Sequence, residues 1–160
     1  VRAVLEVLRT HGMTERSHLQ SFDWGLLKIS QRLAPDVALS FLSAQLPRFN
    51  TLATGDWTAG LELRRFEDVP ALVAAAGGKL WSPHFNDLSQ AVLQRARAEG
   101  LRVIPWTVNE TSDMERLIDW GVDGLITDYP DRLRQVMQRR GMALPPAIDP
   151  ALAARPRPVS

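Results

Sequence analysis

The stretch EGLRVIPWTVNETSDMERLIDWGVDGLITDYPDRL, residues 99–133, holds two successive strand–helix units, and its reading decides the fold. Gly100 precedes the apolar run 101–108, which closes on Trp106, Thr107 and Asn109. A helical pattern follows, with Met114, Leu117 and Ile118 on one face, and it stops at Gly121. The run 122–128 is the next strand. Pro130 then suits the first turn of a helix over 129–141 that turns Leu133, Val136 and Met137 inward. Short, nearly continuous apolar runs suit strands covered on both faces. Their alternation with helices predicts a parallel sheet joined by right-handed crossovers.

The same unit recurs upstream. A helix over 1–11, with Val1, Val4, Leu5 and Leu8 on one face, ends at Gly12, and 17–23 reads as a strand. A helix over 23–35 is stopped by Pro35, and 36–44 is the second strand. A short helix over 67–78 takes Gly77 or Gly78 as its left-handed stop, and 79–83 is the third strand. A helix over 86–100 leads into 101–108, the fourth. Asp87 with Gln90, and Ser112 with Glu115, have the spacing of capping boxes. Segment 44–66 is the exception: long, without a clear period, and read as a surface insertion of the length that often carries function. Residues 141–160, rich in Pro and Ala, read as a flexible tail.

The 160 residues suffice for one domain. Apolar residues make up 45% and charged residues 23%, and the net charge is +1, which gives no reason to expect nucleic acid or a membrane surface as partner. With no Cys, disulfides and thiolate chemistry are excluded, and the compartment stays open between cytoplasm and periplasm. No apolar run approaches the ~20 residues of a membrane span. The chain starts in helical rhythm without Met, which suggests a piece of something longer, the alternative being a processed or mis-started polypeptide.

In a parallel α/β fold the C-terminal strand ends share one side, and that is where ligands bind. Here those ends read Ser21-Phe22-Asp23, Ser40-Phe41-Leu42-Ser43, Ser82-Pro83-His84, Trp106-Thr107-Val108-Asn109 and Thr127-Asp128-Tyr129-Pro130, a polar and aromatic collar. Asp23 and Asp128 read as helix caps, and Ser21, Ser82 and Thr127 as groups that bond loop backbone. His11 suits a helix end, His18 lies at the wrong end of its strand, and His84 is placed to reach a ligand although loop histidines are more often solvated. Trp24, Trp57, Trp81 and Trp120 read as core or cover. Trp106 stands apart because it joins a strand end to polar neighbours. Phosphate-loop, dinucleotide-loop and paired-His metal motifs are absent.

Residues 99–133, with W-T-V-N at 106–109 and G-V-D-G-L-I-T-D-Y-P-D at 121–131, closely resemble the last two strand–helix units of bacterial glycerophosphodiester phosphodiesterases. LQSFDWGLLKISQRLAPDVALSFL (19–42) and LWSPHFNDLSQAVLQRARAEG (80–100) resemble the units before them, so the likeness covers about residues 17–140. It implies a (β/α)8, or TIM, barrel, of which residues 1–140 supply the C-terminal portion, about five β/α units bearing strands four to eight. Residues 1–11 then match the third barrel helix. A complete barrel of this kind needs ~250 residues.

The family's catalytic motifs do not appear here. H-R-G, E-x-D, H-D and E-x-K supply its two catalytic His, its metal ligands and a cation for the phosphate, and none occurs in this sequence. What the resemblance carries over is the far wall of the pocket: Trp106 as the aromatic against the glycerol side, with Ser21 and Phe22 at the fourth strand end. The implied reaction is hydrolysis of a glycerophosphodiester to glycerol 3-phosphate and an alcohol. A divalent cation, Ca²⁺ or Mg²⁺, would polarise the phosphate from ligands outside this chain, and the N-terminal half of the barrel becomes the expected partner. The alternative is a non-catalytic module of the same ancestry that binds glycerol phosphates or another protein.

Overall fold

A computed structural model describes residues 1–146; the expectation of a flexible tail therefore lies mostly outside the described residues. Helices and strands alternate from the first element, apart from one hairpin and the final pair of helices. Helix α1 (Arg2–Thr10) leads to β1 (His18–Ser21), α2 (Trp24–Leu33) and β2 (Ala38–Ser43). The hairpin β3 (Gln45–Leu46) and β4 (Phe49–Asn50) follows. Then come α3 (Val69–Ala75), β5 (Leu80–Pro83), α4 (Gln90–Ala98), β6 (Arg102–Val103), α5 (Thr111–Trp120) and α6 (Pro130–Arg139). The main sheet runs β1-β2-β5-β6, parallel throughout, so its neighbours follow chain order as the staves of a barrel do.

Register explains which residues are core. Phe41 pairs with Trp81 and Ser21 pairs with Phe41, so these three share the helix-facing side. There Trp24, Leu27, Leu72, Val73, Phe41 and Trp81 are all within 1% of full burial, and Trp24 meets Phe41 edge to face at 5.3 Å. The opposite face carries Ser40 and Ser82, both buried, whose hydroxyls bond each other at 2.7 Å. A buried hydroxyl pair satisfies two groups that burial alone would penalise.

Helix boundaries follow local chemistry. Asp23 caps α2 as expected, its Oδ1 accepting the N–H groups of Gly25 and Leu26. Gly77 ends α3 in the left-handed region, and Gly78 is then required by space: a Cβ there would sit 2.5 Å from Val73 Cγ1. The two expected capping boxes are corrected. Ser89, not Asp87, caps α4 through the N–H of Val92, because Asp87 turns its carboxylate to the N–H of Gln45. Ser112 lies inside α5, whose N-cap is Glu110 with no side-chain bond. Asp128 does not cap α6 either; Tyr129 precedes it without a side-chain cap.

Two expected strands are also corrected. Regular pairing along 101–108 is limited to Arg102–Val103, and 122–128 is not a strand. The two segments still run side by side: Asp123 N donates to Val103 O, Ile126 N to Pro105 O, and Val108 N to Ile126 O. Pro105 has no N–H for a ladder, and the N–H of Val103 is taken by the Asp123 carboxylate at 2.7 Å. Pairing survives as isolated bonds instead of regular rungs.

Segment 44–66 is more than surface cover. Its hairpin closes back on the sheet through Thr51, whose N–H donates to Ala44 O at 2.9 Å and whose hydroxyl accepts from Ala44 N at 3.1 Å. Thr51, Leu52 and Thr58 are buried, while Trp57 is exposed and offers its carbonyl to Trp24 N.

Candidate functional site

Three C-terminal strand ends and the hairpin bring four aromatic rings into a row. Phe22 follows β1, Phe49 sits on β4, His84 follows β5, and Trp106 lies on the extension of β6. Phe22 meets Phe49 edge to face at 5.2 Å and Trp106 at 5.4 Å, and His84 meets Trp106 at 5.1 Å with the rings 88° apart. Edge-to-face contact places the positive rim of one ring on the negative face of the next and holds the set in order. Phe22, His84 and Trp106 are half-buried, so the row has a covered side and an open side.

Backbone pairing past the regular strands fixes the centre of this row. Trp106 N donates to Pro83 O, Phe85 N donates to Trp106 O, and His84 bridges Trp106 in parallel. The Trp106–Thr107 peptide bond is cis. The indole N–H donates to Ser82 O at 2.8 Å, so the polar edge of Trp106 is used by the sheet, and what the half-buried ring still exposes is apolar. Ser21, the other expected site residue, accepts from Asp23 N at 3.0 Å. Its hydroxyl shapes the turn that carries Phe22.

Several members of the expected collar have other tasks. Ser40 and Ser82 bond each other, and Ser43 accepts the Trp81 indole N–H at 2.8 Å. All three serines lie within the sheet and are not free for a ligand. Asn109 instead ties two loops. Its Oδ1 accepts from Thr127 Oγ1 at 3.2 Å and Asp128 N at 3.0 Å, its Nδ2 donates to the Asp128 carboxylate, and its carbonyl takes Arg132 Nη1. The W-T-V-N motif thus combines a rim aromatic with a loop lock. Phe49 was not among the sequence candidates, because the segment around it has no period to mark it.

Shifted protonation falls on exposed pairs elsewhere. Hydrogen bonds to Glu67 and Asp68 raise the Arg95 guanidinium, and the Arg64 guanidinium holds Glu62 below the usual carboxylate range. Among the described residues no group of three or more His, Asp or Glu could hold a metal ion. The Ca²⁺ or Mg²⁺ expected from the resemblance thus finds no ligand set in them.

Comparison with known proteins bears on the family and the fold. The model of the Glycerophosphoryl diester phosphodiesterase family matches residues 1–132. A glycerophosphodiester phosphodiesterase of Caldanaerobacter subterraneus subsp. tengcongensis is 25% identical over 138 residues, 86% of this chain and 49% of its own. A solved Silicibacter pomeroyi protein, assigned as a glycerophosphoryl diester phosphodiesterase, is 39% identical with a TM-score of 0.75 over 90% of this chain and 45% of its own. An Oleispira antarctica phosphodiesterase, solved in complex with the product sn-glycerol-3-phosphate, shares the fold at 18% identity and a TM-score of 0.56, over 76% of this chain and 41% of its own. The chain thus spans about half the length of these relatives. Its sequential parallel sheet is part of their TIM barrel, and the chain belongs to the glycerophosphoryl diester phosphodiesterase family.

Proposed function

We propose that this chain supplies the substrate-gripping rim of a phosphoric diester hydrolase that converts glycerophosphodiesters to glycerol 3-phosphate and an alcohol. The observation that carries the reading is the contact of Trp106 with Phe22 and His84 on the strand-end side, within the residues matched to the family. Trp106 offers a ring face to the glycerol carbons. Phe22 flanks it, and Ser21 holds the turn that sets Phe22 in place. Such a wall lowers the barrier by orienting the ester and excluding water.

Metal binding and proton transfer belong, on this reading, to another part of the polypeptide. The sequence contains no H-R-G, E-x-D, H-D or E-x-K motif, and the described residues hold no metal-ligand cluster. Both points also suit a non-catalytic glycerol-phosphate binder.

Release of glycerol 3-phosphate from glycerophosphocholine, with Ca²⁺ or Mg²⁺ present, tests the division. The 160 residues alone are expected to be inactive. A polypeptide that joins them to the coding sequence upstream of Val1 is expected to turn over, and Trp106→Ala there is expected to lower kcat/KM by at least ~10-fold, the scale of a lost positioning contact. Strong metal-dependent turnover by the 160 residues alone overturns the proposal. Binding without turnover in both forms favours the non-catalytic reading.

A further inference from the structure

His84 is the one member of the aromatic row with a polar atom left over. The backbone N–H of Asn86 lies 3.2 Å from His84 Nδ1 and points at it. An N–H can only donate, so Nδ1 must present its lone pair. In the neutral imidazole the proton then sits on Nε2, which becomes a donor. Among the described residues no hydrogen bond uses Nε2, and the ring is half-buried. The ring is held by the Asn86 bond and by the edge-on contact with Trp106 at 5.1 Å, on a backbone tied by the bond from His84 N to Ser43 O.

We propose that His84 is a substrate-positioning residue whose Nε2–H donates to a hydroxyl oxygen of the glycerol group seated on Trp106. The assignment rests on the proposed rim function. Trp106 can recognise only the apolar edge of glycerol, because its N–H is already committed to Ser82 O. A rim of Phe22, Phe49 and Trp106 alone would accept any short alkyl group. One fixed donor beside the indole lets the site tell a hydroxylated carbon chain from a bare one, since a polar group left unpaired in a pocket costs affinity.

Two variants separate the two nitrogens. His84→Asn can keep an acceptor near the Nδ1 position for Asn86 and removes the donor. His84→Gln places an amide N–H near the Nε2 position. Sn-glycerol 3-phosphate and propyl phosphate are titrated into the polypeptide that joins these residues to the coding sequence upstream of Val1, and into each variant of it, and the Trp106 indole N–H signal is followed by NMR. Nitrogen shifts of the His84 ring report the tautomer directly.

The expected pattern has four parts: an unprotonated Nδ1 in the wild type, a loss of ~3- to 10-fold in glycerol 3-phosphate affinity for His84→Asn, near-unchanged propyl phosphate affinity, and recovery in His84→Gln. Equal affinity of wild type and His84→Asn, with Trp106 responding normally, overturns the His84 assignment and leaves the rim standing. So does an equal loss for both ligands. A Trp106 signal that ignores glycerol 3-phosphate in the wild type overturns the rim and His84 with it.

Discussion

Trp81 and Trp106 stand on paired segments of one sheet, and each gives its indole N–H to a group on the neighbouring stretch at 2.8 Å. Their surroundings differ. Trp81 is 1% exposed, with its N–H on the Ser43 hydroxyl, under the helices. Trp106 is half-buried, with its N–H on the Ser82 carbonyl, among Phe22 and His84. The same side chain with the same hydrogen-bonding solution therefore serves two ends. In one place nearly all its surface goes into packing; in the other the hydrogen bond holds the ring while part of its surface stays exposed. Position along the strand decides between them: Trp81 lies mid-strand on the helix side, and Trp106 lies past the last regular rung.

The sharpest way to break this comparison is to truncate both. Trp81→Ala removes a ring with no route for water to fill the gap, and is expected to cost about 3–5 kcal/mol in urea unfolding. Much of the stability of a single domain would go with it. Trp106→Ala is expected to cost clearly less, because part of its ring surface is exposed already. If the two variants lose equal stability, the rim is only more core and the functional reading of Trp106 falls.

The hydrogen bonds give the next test. Ser43→Ala leaves the Trp81 N–H buried without its partner, a loss of about 1–3 kcal/mol by thermal or urea unfolding. Trp106 cannot be treated in the same way, since its acceptor is a backbone carbonyl that no substitution removes. Trp106→Phe keeps an aromatic ring and loses the N–H, and about 1 kcal/mol is expected. A Ser43→Ala variant as stable as the wild type would mean that water or a shifted side chain reaches Trp81, against its 1% exposure.

The same contrast separates what the sequence made legible from what it did not. Alternation of strands and helices could be read from Gly stops such as Gly100 and Gly121 and from the Asp23 cap, because these act within a few residues. The expected roles of Asp87 and Asp128 failed for one reason: each carboxylate found a partner far along the chain, Gln45 N for one and the Asn109 amide for the other. Spacing cannot show such a competitor. The strands at 101–108 and 122–128 were overextended because Pro105 and the Asp123 carboxylate both interrupt the ladder, and only the second of these needs the fold to be seen. In the candidate rim, Trp106 is marked by its strand-end position, and Phe22 is named as a site residue only by the family resemblance. Phe49 is marked by neither, since it reaches Phe22 from an aperiodic segment through a two-residue hairpin arm.

Phe49 also offers the smallest and most selective perturbation. It is 42% exposed, and its contact with Phe22 is edge to face at 5.2 Å. Phe49→Ala is therefore expected to cost under about 1 kcal/mol of stability, close to the worth of one aromatic pair. Trp106 and Phe22 remain in contact without it, so the rim should persist while Phe22 gains freedom. The expected readout is broadened Phe22 ring signals in NMR and a loss of glycerol 3-phosphate affinity smaller than that of Trp106→Ala, with an unfolding midpoint near the wild-type value. A loss of stability approaching that of Trp81→Ala would instead make the 44–66 segment part of the core's support. The line between a packing tryptophan and a binding one would then have to be drawn inside the rim, between Phe49 and Trp106.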